Sequence, residues 1–218
     1  MNFKAVIFDL DGTLLDTIED LTDSMNAALS EMGFPGYGID DCKKLVGDGL
    51  ATFVQRVLPP EARDNPEIAA KLTELMRWKY SERNTVKTRP YKGIPELLEA
   101  LVQRGIRLAV LSNKPHDSTL VVMKKYFSRW NLAAVFGARD GVPVKPDPTS
   151  ALEIARLLDL SPSEIVYVGD TNTDMWTANA AGMYAVGALW GFRTAGELRT
   201  SGAKVLIKKP LDLLALLS

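Results

Sequence analysis

The chain has 218 residues, of which 46% are hydrophobic and 24% charged, and its formal net charge is −1. That balance suits a globular protein with a substantial core and argues against general affinity for nucleic acid or anionic membrane. Cys42 is the only cysteine and His116 the only histidine, which excludes an intramolecular disulfide, a thiolate metal cluster and a multi-histidine zinc site within one chain.

Ala5-Val6-Ile7-Phe8 reads as a short strand buried on both faces. It is too short for a signal peptide, and no run approaches the length of a membrane span, so a cytoplasmic location is expected. The strand leads into Asp9-Leu10-Asp11-Gly12-Thr13-Leu14-Leu15-Asp16-Thr17. Asp9 and Asp11 fall on the same side of an extended chain, roughly 6–7 Å apart. Two such carboxylates repel unless a proton or cation sits between them, and a hard ion such as Mg²⁺ suits oxygen donors. Gly12 permits a sharp turn and a close approach by a ligand.

The pattern then turns helical. Leu21, Met25, Ala28, Leu29 and Met32 recur at helical spacing, with Thr17 as N-cap and Gly33 as the stop. Pro35 to Gly38 is a loop, and a helix from about Asp40 to Val46 breaks at Gly47-Asp48-Gly49. Another helix covers Leu50 to Leu58 and ends at Pro59-Pro60. Asn65-Pro66 caps a further one carrying Ile68, Leu72, Leu75 and Met76 on one side. Residues 17–87 hold only helical signals.

From Arg89-Pro90 onward helices and strands alternate. The helices are predicted at Ile94–Arg104, Asp117–Tyr126, Thr149–Leu158, Asp174–Ala181 and Leu211–Leu217. The strands are predicted at Arg107–Leu111, Ala134–Phe136, Glu164–Val168, Tyr184–Ala188 and Lys204–Ile207. The fold class is therefore α/β: a Rossmann-like parallel sheet covered by helices on both faces. The expected core comprises residues 1–16 and 88–218, and residues 17–87 form an inserted helical cap. Hinges are expected near Asp16–Ile18 and Lys87–Pro90.

Ligands in open α/β sheets gather at the carboxyl ends of strands. Besides Asp9 and Asp11, those ends carry Ser112-Asn113, with a hydroxyl and backbone N–H groups suited to phosphate oxygens. Gly169-Asp170 opens an acidic turn that ends at Asp174, which could also cap the next helix. Lys145 is stiffly held in Val144-Lys145-Pro146-Asp147-Pro148.

Asp9-x-Asp11-Gly12-Thr13-x-x-Asp16-Thr17, followed in order by Ser112, Lys145 and Gly169-Asp170-x-x-x-Asp174, closely resembles the four motifs of the haloacid dehalogenase-like hydrolases. The likeness spans nearly the whole chain, including the point where a helical C1-type cap is inserted. It implies that Asp9 attacks phosphorus and Asp11 works as acid and base. It implies Mg²⁺ held by Asp9, the Asp11 backbone carbonyl and Asp170, with Asp174 orienting Lys145 or a metal-bound water. Lys145, Ser112, Asn113 and Thr13 would bind the phosphoryl group.

Within that superfamily the chain looks most like the phosphoglycolate phosphatases, through Leu45 to Leu50, Ser112-Asn113-Lys114-Pro115 and Val144 to Pro148. Gly47, Asp48 and Gly49 would then form the substrate-facing cap loop, with Asp48 turned to the leaving group. The implied partner is a small phosphorylated metabolite, with neither nucleic acid nor membrane, and the protein would be a monomer or homodimer. Other readings are a phosphatase of a nucleotide, pyrophosphate or sugar phosphate, and a phosphoglucomutase-like transferase, although the cap lacks the Arg-containing loop expected of the latter. A receiver-like signalling domain is disfavoured by the cap and the position of Asp9. No role falls to His116.

Overall fold

The computed structural model describes residues 2–217; Met1 and Ser218, at the ends of the expected core segments, lie outside them. In chain order the elements are β1 (Ala5–Phe8), β2 (Leu15–Asp16), α1 (Ile18–Glu31), α2 (Ile39–Leu45), α3 (Leu50–Val57), α4 (Pro60–Arg63) and α5 (Pro66–Arg83). Then come β3 (Arg89–Pro90), α6 (Ile94–Gln103), β4 (Arg107–Pro115), α7 (His116–Phe127), β5 (Leu132–Ala138) and α8 (Thr149–Leu157). The chain closes with β6 (Ile165–Gly169), α9 (Asn172–Ala180), β7 (Tyr184–Ala188), α10 (Ala195–Thr200), β8 (Val205–Ile207) and a 3₁₀ segment, Pro210–Leu216.

Six parallel strands run in the order β5-β4-β1-β6-β7-β8. From β1 the chain builds outward through β4 and β5, then returns to lay β6 on the other side of β1. The carboxyl end of β1 therefore sits where the winding reverses, the place at which open α/β sheets bind ligands.

Alternation along the strands splits the core into two layers. Val6, Phe8, Leu108, Val110, Val166 and Val168 pack with Leu97, Leu98, Leu101 and Phe127 from α6 and α7. Ala5, Ile7, Ala109, Ile165 and Tyr167 pack with Ile154, Met175 and Ala178 from α8 and α9. The four residues of β1 are at most 1% exposed, so this strand is covered on both faces and its end is rigidly held.

Helices α1 to α5 enclose a separate apolar cluster built on Met25, Leu29, Phe53, Val54, Leu72 and Met76. The two connections to them pair with each other: β2 and β3 form an antiparallel ribbon, Leu15 opposite Pro90 and Asp16 opposite Arg89. Asp20, 1% exposed on α1, locks this junction by accepting from the Lys87 and Thr88 backbone N–H groups and the Thr88 hydroxyl. Among the described residues no helix is long and apolar enough to cross a membrane.

Several local expectations need correction. Ser112 and Asn113 lie inside β4, because that strand continues past Leu111 to Pro115. Thr17 precedes α1 but its buried hydroxyl has no hydrogen-bond partner, so it does not cap with its side chain. Asn65 does cap α5, accepting from Glu67 and Ile68 N–H. The closing helix is 3₁₀ rather than α.

Candidate active site

Asp9 continues from β1, its N–H donating to the Val168 carbonyl on β6 at 2.9 Å. The next residues fold back at once: Leu14 and Leu15 N–H both donate to the Leu10 carbonyl. Gly12 makes this possible with φ +96°, and a Cβ there would collide with the Asp170 carboxylate. The turn thus packs directly on the end of β6.

That end supplies Asp170, fully buried. Its Oδ1 accepts from the Thr13 hydroxyl at 2.8 Å and its Oδ2 from the Phe192 N–H at 2.8 Å. The Thr13 hydroxyl orients Asp170, and its N–H donates to Leu10 O. Thr171, rather than Asp174, is the N-cap of α9. Asp174 is the reciprocal partner in that capping box, its Oδ2 accepting from the Thr171 N–H and hydroxyl.

Lys145 lies between two of the carboxylates, 2.7 Å from Asp9 Oδ1 and 2.6 Å from Asp174 Oδ1. Burial alone would lower the ammonium pKa, but Asp174 and Asp9 outweigh it and hold the group charged, well above its usual range. Asn113 fixes the backbone here: its Oδ1 accepts from Lys145 N–H and its Nδ2 donates to Lys145 O. The Asn113 side chain also donates to Gly47 O in the helical insertion. The amide group of Asn113 thus positions Lys145 and the loop.

Ligand atoms of Asp9, Asp170 and Asp174 all lie within 4.8 Å of one another, and all three residues are buried. Burial, and then the nearby Asp174 carboxylate, pushes the Asp170 carboxyl up to about 7. The same two causes, in that order, raise Asp9 well above the carboxylate range, Lys145 opposing them. One ammonium does not neutralise three crowded carboxylates. A hard divalent cation would, and the all-oxygen donor set fits one.

Above these residues is a cavity of about 90 Å³, lined at its base by Asp9, Asp11 and Ser112 and on the helical side by Leu50, Phe53 and Met76. Ser112 Oγ accepts from Lys114 N–H, leaving its own hydrogen free to donate into the cavity. Gly47 and Gly49 line the cavity. Asp48 does not. Its carboxylate turns the other way, pairing with Arg56 at 2.6 Å and accepting from the Thr173 hydroxyl, so it is not turned to a leaving group here.

Sequence reasoning missed three polar residues. Lys114 is 2% exposed in its side chain and lies 2.8 Å from Asp11 Oδ1 and 2.5 Å from the Tyr80 hydroxyl on α5. Its spacing of two from Ser112 on a strand was the available signal. Tyr80 itself is the second; buried in α5, it reads in sequence as one more core aromatic. Arg193, after β7, donates to the carbonyls of Lys43, Lys44 and Val46 at the end of α2, and nothing local announced it.

An acidic turn on the central strand, a buried lysine from a later loop and a second acidic turn on the neighbouring strand define a phosphoryl-transfer type of α/β enzyme. The chain belongs to the haloacid dehalogenase-like hydrolase family, whose profile matches residues 6–188. It is similar to a phosphoglycolate phosphatase of Aquifex aeolicus, 32% identical over 98% of this chain and 96% of the relative. A phosphoglycolate phosphatase of Psychrobacter arcticus is 30% identical over 91% and 89%. Among solved structures, a Lactobacillus delbrueckii subsp. bulgaricus protein provisionally described as a phosphoglycolate phosphatase superposes with a TM-score of 0.93, at 30% identity over 100% of this chain and 99% of that one.

Proposed function

We propose that this protein is a Mg²⁺-dependent phosphoglycolate phosphatase working through an aspartyl phosphate on Asp9. It is a hydrolase of phosphate monoesters. The observation that carries the reading is Asp9 at the end of β1, inside the carboxylate group and 2.7 Å from the Lys145 ammonium. Full-length similarity to phosphoglycolate phosphatases supports the substrate. A cytoplasmic location, expected because no run in the sequence reads as a signal peptide or a membrane span, is part of the same proposal.

Asp9 Oδ1 is held by Lys145, while Oδ2 accepts no hydrogen bond among the described residues. We assign Oδ2 as the attacking atom. It forms a bond to phosphorus as the ester P–O bond breaks, and Asp11 gives a proton to the departing alkoxide. In the second half, Asp11 takes a proton from water as that water attacks the aspartyl phosphate, releasing phosphate and restoring Asp9. Ser112 and Lys145 face the phosphoryl oxygens as charge spreads over them. Asp9, the Asp11 carbonyl and Asp170 would hold Mg²⁺, which when bound supplies charge neutralisation between the dianionic ester and the carboxylates. Asp174 keeps Lys145 in place, and Thr13 does the same for Asp170. The helices of residues 17–87 act as the cap that limits the leaving group to the small cavity and excludes bulk water.

Phosphate release from 2-phosphoglycolate with Mg²⁺ tests the reading. Asp9→Asn should lose several orders of magnitude in turnover while keeping its fold by circular dichroism. Appreciable activity in pure Asp9→Asn protein would reject Asp9 as the nucleophile.

A further inference from the structure

The cavity wall contributed by α5 carries a polar face that the chemistry at phosphorus does not use. Met76, Arg77 and Tyr80 all line the cavity, and Arg77 and Tyr80 are three residues apart, on one side of the helix. Arg77 is exposed at the mouth and makes no hydrogen bond or ion pair among the described residues. Tyr80 is 5% exposed, and its hydroxyl only accepts, from Lys114; its own hydrogen is unused. Burial pushes the phenol up to about 12, so the hydrogen stays on at neutral pH. From α7 the cavity gains Ser118, whose hydroxyl is likewise without a partner among the described residues. An idle guanidinium and an idle phenolic hydrogen in one small cavity select an anion other than the phosphoryl group, which belongs at Asp9, Ser112 and Lys145.

Spacing narrows the anion further. Lys114 touches both Asp11 and the Tyr80 hydroxyl, so a single ammonium nitrogen separates the acid that protonates the leaving oxygen from the donor on α5. A carboxylate attached to the carbon that bears the ester oxygen is close enough to reach Tyr80 while that oxygen faces Asp11. We infer that Arg77 and Tyr80 form the subsite for a carboxylate on the α carbon of the leaving group, bridged to Asp11 by Lys114. Arg77 supplies the planar fork that matches a carboxylate, and Tyr80 the single directed hydrogen. Lys114 is a positioning residue between the subsite and the acid. The inference rests on the phosphatase reading and names the chemical feature by which the site would choose phosphoglycolate.

The test is steady-state kinetics of wild type, Arg77→Gln, Arg77→Lys and Tyr80→Phe over two substrate sets. One set carries an α-carboxylate (2-phosphoglycolate and phospholactate); the other lacks it (ethyl phosphate and p-nitrophenyl phosphate). Arg77 is exposed, so its variants should fold. Arg77→Gln should lower kcat/KM for the carboxylated esters about 10- to 100-fold more than for the others, the range for a hydrogen bond to a charged group. Arg77→Lys should restore part of it, and Tyr80→Phe should show a smaller selective loss. Equal losses on both sets, or none, would overturn the subsite even if wild type prefers phosphoglycolate. A wild type that prefers phospholactate and loses that preference in Arg77→Gln keeps the subsite and rejects the proposed substrate. A wild type that favours no α-carboxylated ester overturns both.

Discussion

Arg193 Nη2 lies 2.6 Å from the carbonyl oxygen of Val46, joining the loop after β7 to the end of α2. The same guanidinium reaches the carbonyls of Lys43 and Lys44, which the helix leaves without partners of its own. Its neighbour Phe192 donates to Asp170 and lines the cavity, so one short loop touches both the carboxylate group and the helical insertion. Arg193→Ala should loosen the insertion against the sheet. The expected result is about a tenfold loss in kcat/KM, from a hydrogen-bonded charge on partly exposed partners. Amide hydrogen exchange should speed up in residues 39–49, and unchanged exchange there would show that Arg193 does not hold the insertion.

Lys145 separates Asp9 from Asp174 at 2.7 and 2.6 Å. Lys145→Met removes the one buried ammonium among three carboxylates and leaves their repulsion uncompensated. Without metal, urea unfolding should show a loss of about 3–5 kcal/mol, the usual cost of breaking a buried ion pair by deleting one partner. Turnover should fall by at least about 10²-fold. Lys145→Arg should not rescue it, because a planar fork cannot take the place of a compact ammonium between two carboxylates.

The carboxylate group also fixes a pH dependence. Asp170 is raised from 3.8 to about 7, first by burial and then by Asp174. The folded protein therefore binds more protons than the unfolded chain between those values, and folding stability should fall as pH rises from about 4 to 7. A single such group gives a slope of at most about 1.4 kcal/mol per pH unit. A bound divalent cation replaces the proton, so saturating Mg²⁺ should flatten this slope and raise the melting temperature at pH 8. EDTA should abolish activity reversibly, and Ca²⁺, which tolerates more ligands and looser geometry, should bind and inhibit. A melting temperature at pH 8 indifferent to Mg²⁺, Mn²⁺ and Ca²⁺ would contradict a metal at these carboxylates.

Gly49 has φ +90° and precedes α3, with the Asn113 carbonyl 3.7 Å from where a Cβ would lie. Space exists for a side chain, but a β-branched residue is strained at that backbone angle by about 1–2 kcal/mol. Gly49→Val should shift the loop that lines the cavity. We expect kcat/KM for the best substrate to drop about tenfold, with metal affinity and melting temperature changed far less. Normal kinetics across a substrate panel would reduce Gly47 to Gly49 to a plain turn.

The sequence by itself determined most of the elements and the chemical groups at their ends, though not the β2–β3 ribbon, α4 or α10. Ala5 to Phe8 is apolar throughout because β1 is covered on both faces, and Asp9, Asp11, Lys145, Asp170 and Asp174 stand beside turn residues whose local chemistry is short-range. Only the tertiary structure decided where several side chains point. Asp48 is flanked by glycines, so nothing local fixes its direction; Arg56 on α3 and Thr173 on α9 turn it away from the cavity. Thr13 meets Asp170 across 157 positions, Lys114 meets Tyr80 across 34, and Arg193 meets Val46 across 147. Periodicity carries information over one or two turns of helix or strand. Pairings at such separations are chosen by how the sheet and the helical insertion pack, which no local pattern encodes.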